Sequence, residues 1–345
     1  MSRRKFNVAV VGATGAVGEQ IIGLLEKRDF PVEKLKLLSS ARSAGTVLRF
    51  KGQEITVEEA GPDSFAGIDI ALFSAGGDVS KALAPHAVRH GAVVIDNTNA
   101  FRMAETAPLV VPEVNEHMIG QHQGIIANPN CSTIQMVTAL KPLHDRYGVS
   151  RIIVSTYQAV SGAGAKAIDE MLRQSKEVLE GNEVKPDILP VSSLPVKHQI
   201  AFNAVPQIDK FQDNGYTLEE MKMVRETKKI FGDDSIQVTA TCVRIPVVYG
   251  HSESVYVELK NDYDLEEVRG LLSDAPGVTL VDDPASQSYP LATEAAGKPD
   301  VFVGRLRRDL DHPRGLNLWI VSDNLLKGAA WNAVQIAEIV AAGKE

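Results

Sequence analysis

The first third of the chain alternates short apolar runs with helical patterns. Residues 6–11 are an apolar run that stops at Gly12. Residues 17–25 then carry apolar side chains at 17, 21, 22, 24 and 25, the spacing of one helix face. Strand patterns recur at 35–38, 55–57, 68–73, 93–95 and 124–127, with a helical run at 79–90 between two of them. This rhythm predicts a mostly parallel, doubly wound α/β sheet of Rossmann type. Past a helical stretch at 134–140 the pattern changes. Longer strands are expected at 151–158, 238–248, 253–259 and 316–322, with helices at 165–180 and 216–231. Thr217 reads as the cap of the latter helix and Glu220 as its capping-box partner. Together these predict an α+β domain with a mixed or antiparallel sheet. A final helix at 325–341 is expected to fold back on the first domain. The domains are thus read as 1–131 completed by 325–345, and 132–324.

Bulk properties narrow the class. A chain of 345 residues, 44% hydrophobic and 23% charged, is a soluble globular protein of about two domains. Its formal charge of -8 disfavours a broad nucleic-acid surface but leaves room for a local cationic pocket. No apolar stretch reaches the length of a membrane span, and no signal-peptide core follows the basic first residues, so a cytoplasmic location is expected. Two cysteines make no disulfide framework. There is no HExxH, CxxC or histidine–carboxylate cluster, so no metal site is expected.

The glycine-rich segment Gly12-Ala13-Thr14-Gly15-Ala16-Val17-Gly18 stands between a strand and a helix. There, small side chains let a pyrophosphate approach backbone N–H groups and the helix N-terminus. The spacing is one residue off the commonest dinucleotide fingerprint, so an ordinary glycine turn is the bland alternative. An NAD site usually places a carboxylate at the end of the second strand. Here that strand runs into Ser39, Ser40, Ala41, Arg42 and Ser43: three hydroxyls and a guanidinium, donors suited to a 2′-phosphate. NADP(H) is therefore the expected cofactor. Ala75 and Gly76 follow another strand and are expected to pass close to it.

Cys131 lies where the turn-prone segment Asn128-Pro129-Asn130 meets the start of a helical run. First-turn N–H groups favour a thiolate at such a place. The alternative is an inert buried thiol, the reading that suits Cys242 inside the apolar run 238–243. Among eight histidines, His251 stands apart, in a turn between two strand patterns with Arg244 seven residues before it. A satisfied turn histidine is the competing reading. Arg102 and Lys222 are cations in polar stretches, with simple solvation as their alternative. A hydride-accepting cofactor and a reactive thiol together suggest aldehyde chemistry through a thioester.

These segments resemble the aspartate-semialdehyde dehydrogenase family. The resemblance is carried by the glycine loop, residues 37–43, 73–77, 94–102 and 110–115, Asn128-Pro129-Asn130-Cys131, residues 156–164, Glu219-Glu220-Met221-Lys222, Cys242 to Pro246 and Gly250-His251-Ser252. It implies a second domain for catalysis and dimerisation like that of glyceraldehyde-phosphate dehydrogenases, and a homodimer. It further implies NADPH-dependent reduction of L-aspartyl-4-phosphate to L-aspartate 4-semialdehyde with release of inorganic phosphate. That product feeds lysine (through diaminopimelate), threonine, methionine and isoleucine synthesis. By resemblance Cys131 is the nucleophile, His251 the acid/base and Gln158 a positioning group. Arg244 holds the substrate carboxylate and Glu220 its ammonium. Arg102, Asn130 and Lys222 form a phosphate site, and Ser161, Gly162 and Asn324 line the nicotinamide. Rival readings are an N-acetyl-γ-glutamyl-phosphate reductase, a glyceraldehyde-phosphate dehydrogenase and a non-catalytic NADP sensor.

Overall fold

The computed structural model describes residues 4–343. The chain forms two compact units: Met1–Asn130 with Gly328–Glu345, and Cys131–Lys327. In the first unit, β1 (Phe6–Val11), β2 (Val32–Ser39), β5 (Glu58–Glu59), β6 (Ile70–Phe73), β7 (Val93–Asp96) and β8 (Ile125–Ala127) make one sheet in the order β5-β2-β1-β6-β7-β8. Every pairing in it is parallel. Parallel strands covered on both faces need apolar side chains throughout, and Val8 to Val11 are all buried. The expected strand at 55–57 belongs instead to a separate antiparallel hairpin of β3 (Val47–Phe50) and β4 (Gln53–Thr56). Its exposed, charge-bearing residues suit a two-stranded surface ribbon rather than a doubly covered sheet.

The helices of this unit are α1 (Ala16–Lys27), α2 (Gly77–Arg89), the short α3 (Pro112–Asn115) and α9 (Trp331–Ala342) at the chain's end. Arg28 fastens α9 to the end of α1. It makes two hydrogen bonds of 2.6 Å to Glu338 and stacks 4.3 Å from the Trp331 ring. The expected helix at 325–341 is divided. A π-helical turn, Leu326–Ala330, precedes the α-helical part.

In the second unit the sheet runs β10 (Gln237–Arg244), β9 (Val149–Gln158), β11 (His251–Leu259), β14 (Gly315–Ser322), β13 (Val301–Arg308), β12 (Val278–Leu280). It is mixed: β10 pairs parallel to β9, whereas β11 pairs antiparallel to both β9 and β14. Alternate residues of these strands pack against α4 (Cys131–Tyr147), with α6 (Leu218–Phe231) and α7 (Leu265–Asp274) nearby. The remaining helices are α5 (Ala165–Leu179) and the short α8 (Ala292–Ala295). Strand β13 was not legible in sequence, because Gly304 and the arginines at 305, 307 and 308 interrupt its apolar run.

Candidate active site

The glycine loop is built as its spacing demands. Gly12 has φ +89°, and a Cβ there would stand 2.9 Å from the Ala75 nitrogen. A Cβ on Gly18 would meet the Gly12 carbonyl oxygen at 2.1 Å, so only glycine lets α1 start this close to the loop. Gly15 caps α1 without a side-chain hydrogen bond, and Ala16, Val17 and Gly18 form the helix's first turn. Their N–H groups lie in the first turn of α1, which has no partners of its own for them within the helix, the kind of place where an anion can bind. Gly76, φ +100°, caps α2 in the same manner. Thr14 Oγ1 lies 3.0 Å from Ser39 Oγ, so the loop and the end of β2 meet. Ser40, Arg42 and Ser43 continue from there into an exposed or half-buried turn. The fold adds one feature that sequence order concealed. Edge strand β5 brings Glu58 and Glu59 beside Leu38 and Ser39, and Glu58 is tied to Lys36 at 3.2 Å.

Arg102 is buried and tightly held. Its guanidinium donates to the carbonyls of Asn128 and Asn97, both at 2.9 Å. The loop carrying it is shaped by Asp96 at the end of β7, which accepts hydrogen bonds from Ser80 Oγ, Thr98 N–H and Thr98 Oγ1. Asn130, also buried, is the last residue of the first unit.

Cys131 is the first residue of α4 and is half-buried. That position sets its thiol at the positive end of the helix dipole, where a thiolate is favoured. Cys242 contrasts with it. It is fully buried in β10 against Met223, and burial pushes its thiol well above the usual range.

The other groups of the second unit converge at the ends of three neighbouring strands. Gln158 ends β9, Arg244 ends β10 in register with it, and His251 begins β11. His251 is therefore a strand residue rather than part of the turn; Gly250, φ +90°, makes the turn. Ala159 links two of these groups. Its N–H donates to His251 Nδ1 at 3.0 Å, and its carbonyl accepts from Arg244 Nη1 at 2.6 Å. Burial foremost, then the Arg244 cation, lowers the His251 pKa to about 3. Burial also lowers that of Arg244, while Glu219, Cys131 and Cys242 act against the fall. Gly162 faces both. A Cβ there would come within 3.0 Å of Arg244 Nη1 and 3.3 Å of the His251 ring. Asn324 exchanges hydrogen bonds of 3.0–3.2 Å with Ser161 Oγ and accepts from Gly250 N–H at 3.0 Å.

Glu220, expected to meet a substrate ammonium, is bound up in the local structure. Both oxygens of Glu220 are engaged by the backbone. One accepts the Thr217 N–H at 2.7 Å in the capping box, and the other the Cys242 N–H at 3.0 Å. The residue turned toward the cluster is Glu219. It accepts from Gln158 Nε2 at 3.2 Å and meets Lys222 Nζ at 3.0 Å. Lys222 also reaches Asp209 at 3.2 Å. The capping-box pattern was readable in sequence, and its consequence for Glu220 was the missed signal.

Two family models divide the chain as the fold does. Residues 7–122 match the semialdehyde dehydrogenase NAD binding domain, and residues 140–327 the semialdehyde dehydrogenase dimerisation domain. The aspartate-semialdehyde dehydrogenase of Bacillus subtilis (strain 168) is 63% identical over 336 residues, 97% of each chain. The chain belongs to the aspartate-semialdehyde dehydrogenase family. A solved family member, aspartate semialdehyde dehydrogenase II of Vibrio cholerae complexed with ASA, superposes with a TM-score of 0.93 at 50% identity, covering 98% of each chain. The aspartate semialdehyde dehydrogenase of Candida albicans, solved with NADP, gives 0.75 at 26% identity, covering 98% of each chain. Among the described residues no helix of this family member is long and apolar enough to cross a membrane, and no cluster of His, Cys, Asp and Glu has the makings of a metal site.

Proposed function

We propose that this chain is an NADP-dependent, phosphorylating aspartate-semialdehyde dehydrogenase. It would reduce L-aspartyl-4-phosphate to L-aspartate 4-semialdehyde and work as a homodimer paired through its second unit. The product suits synthesis of lysine through diaminopimelate, and of threonine, methionine and isoleucine. The observation that carries this reading is Cys131 at the first turn of α4, in a unit whose strand ends assemble Gln158, Arg244 and His251.

In this reading the Cys131 thiolate attacks the acyl carbon. The carbon–oxygen bond to phosphate breaks, and phosphate leaves with a proton drawn ultimately from solvent. A thioester on Cys131 remains. Arg102, Asn130 and Lys222 would hold the phosphate, and Arg244 the substrate carboxylate by a charge-assisted contact. Glu219, which meets the Gln158 amide where Glu220 is turned to backbone N–H groups, would take the ammonium. Gln158 positions the thiol and substrate, and His251 stands at the reacting oxygen. NADPH, when bound, supplies the hydride that reduces the acyl carbon, after which the Cys131 thiolate departs. Gly12, Thr14, Gly15, Ala16, Val17 and Gly18 would hold the pyrophosphate, and Ser39, Ser40, Arg42 and Ser43 the 2′-phosphate. Ala75, Gly76, Ser161, Gly162 and Asn324 would line the rest of the cofactor site.

The deciding assay follows NADPH formation from NADP with aspartate semialdehyde, with and without inorganic phosphate. N-acetylglutamate semialdehyde and glyceraldehyde 3-phosphate serve as competing aldehydes. Phosphate-dependent activity greatest with aspartate semialdehyde is expected. Preference for either competitor, or turnover indifferent to phosphate, would refute the reading.

A further inference from the structure

The last helix of the chain carries a polar side chain that no step of the reaction uses. Asn332, in the first turn of α9, is fully buried on a helix whose other buried residues are Ala, Val and Ile. An amide sealed there needs partners. Its Nδ2 donates to Asn128 Oδ1 at 2.7 Å and to the Val110 carbonyl at 3.0 Å, 204 and 222 positions earlier in the chain.

The second acceptor fixes how the first must stand. A carbonyl can only accept, so Asn332 keeps Nδ2 toward Val110 and cannot turn over. Asn128 must then offer its own side-chain oxygen. That leaves Asn128 Nδ2 buried and, among the described residues, without a partner. The bond from Asn332 is therefore the one hydrogen bond of that side chain among the described residues. The main chain of Asn128 does something else. Its N–H donates to the Asp96 carbonyl at 2.8 Å, and its carbonyl accepts Arg102 Nε at 2.9 Å. The Asn97 carbonyl takes Arg102 Nη2 at the same distance. Two main-chain oxygens thus aim the guanidinium, and one belongs to the residue that α9 holds. The helix is a firm base for this, tied to α1 by Arg28 and Glu338 and to α3 by Gln335 and Glu113 at 2.9 Å.

Resting on the phosphate role proposed above for Arg102, we propose that Asn332 is a positioning residue of the phosphate site: Asn332 holds the Asn128 amide, and Asn128 holds Arg102. Without Asn332 the whole Asn128 amide would be buried and unpaired. Such a group is displaced rather than kept, and its displacement carries with it the carbonyl that aims Arg102. A shift of about 1 Å is enough to weaken a contact that depends on alignment.

Steady-state kinetics of NADPH formation, with aspartate semialdehyde, NADP and inorganic phosphate varied separately, test the relay. Arg102→Ala is the reference and should raise the KM for phosphate most. Asn332→Leu, similar in size but unable to donate, should raise it about tenfold while the KM values for semialdehyde and NADP stay within about twofold. A merely structural loss lowers the folded fraction, which reduces kcat and leaves every KM alone. The double variant, Asn332→Leu with Asn128→Leu, removes both polar partners together, so its phosphate KM should return to within about threefold of wild type. Should Asn332→Leu not fold alone, Asn332→Ser, which cannot reach Asn128, carries the same expectation. An unchanged phosphate KM, three KM values that rise together, or a double variant as damaged as the single overturns the inference. If Arg102→Ala also leaves the phosphate KM unmoved, or the wild type ignores phosphate, the reading of the site itself falls.

Discussion

Gln158 donates its side-chain amide to Glu219 across 3.2 Å, joining the end of β9 to the first turn of α6. The adjacent Glu220 points the other way, into the capping box and β10. The two glutamates should therefore fail differently. Glu219→Gln should raise KM for the aspartyl substrate at least about tenfold, the scale of one charge-assisted contact, with little change in stability. Glu220→Ala should cost about 1–2 kcal/mol of stability through lost caps while the folded fraction keeps its KM. Denaturant titration beside steady-state kinetics separates them, and a reversed pattern would restore Glu220 as the ligand.

Cys131→Ala should abolish turnover and leave NADP affinity nearly intact, because the thiol forms the covalent intermediate and does not hold the nucleotide. Alkylation followed by peptide mapping should modify Cys131 well before Cys242, which is buried and pushed toward the thiol form. Retained activity in the alanine variant would eliminate the thioester route.

Arg42→Ala should weaken NADP by about 1.5–3 kcal/mol and leave NAD nearly unaffected, since only the former carries the 2′-phosphate. Glu58 and Glu59, set beside the end of β2, supply no donor for that phosphate. Calorimetric titration with both nucleotides checks this. Equal losses would mean that Arg42 does not read the 2′ position.

Gly162→Ala should cripple catalysis in a well-folded protein. The added Cβ presses on Arg244 Nη1 at 3.0 Å and the His251 ring at 3.3 Å, and Ala159 holds both partners in place. A drop in kcat/KM of about tenfold or more is expected, with a Tm slightly below wild type, because strain against the held partners outweighs the entropy that alanine removes from the unfolded chain. Unchanged kinetics would show that the two side chains yield freely.

Glu253 on β11 is fully buried, and burial holds its carboxyl pKa well above 4.5. The folded state thus keeps a proton that the unfolded chain releases above that value. Its stabilising effect is fully present below the unfolded pKa and is lost as pH rises toward the folded one. Over that window this group should remove stability at up to about 1.4 kcal/mol per pH unit. Denaturant midpoints from pH 5 to 8 should slope downward more steeply in wild type than in Glu253→Gln. Parallel profiles would show that the carboxyl ionises without cost.

Much of this protein was written in local pattern. The apolar run before Gly12, the small residues after it and the turn before Cys131 dictate a strand, a bare-backbone loop and a thiol at a helix start. Each depends only on near neighbours along the chain. The Thr217–Glu220 cap was legible for the same reason. Tertiary structure decided what distance along the chain concealed. It made His251 a strand residue whose Nδ1 is claimed by Ala159, 92 positions away. It set Glu219 against the Gln158 amide and paired Glu220 with the Cys242 N–H of β10. It also sealed the carboxyl of Glu253 beneath the sheet, where a strand pattern alone suggests only a polar residue on one face. Spacing tells which residues share a face; only packing tells which partners, donors and charges that face meets.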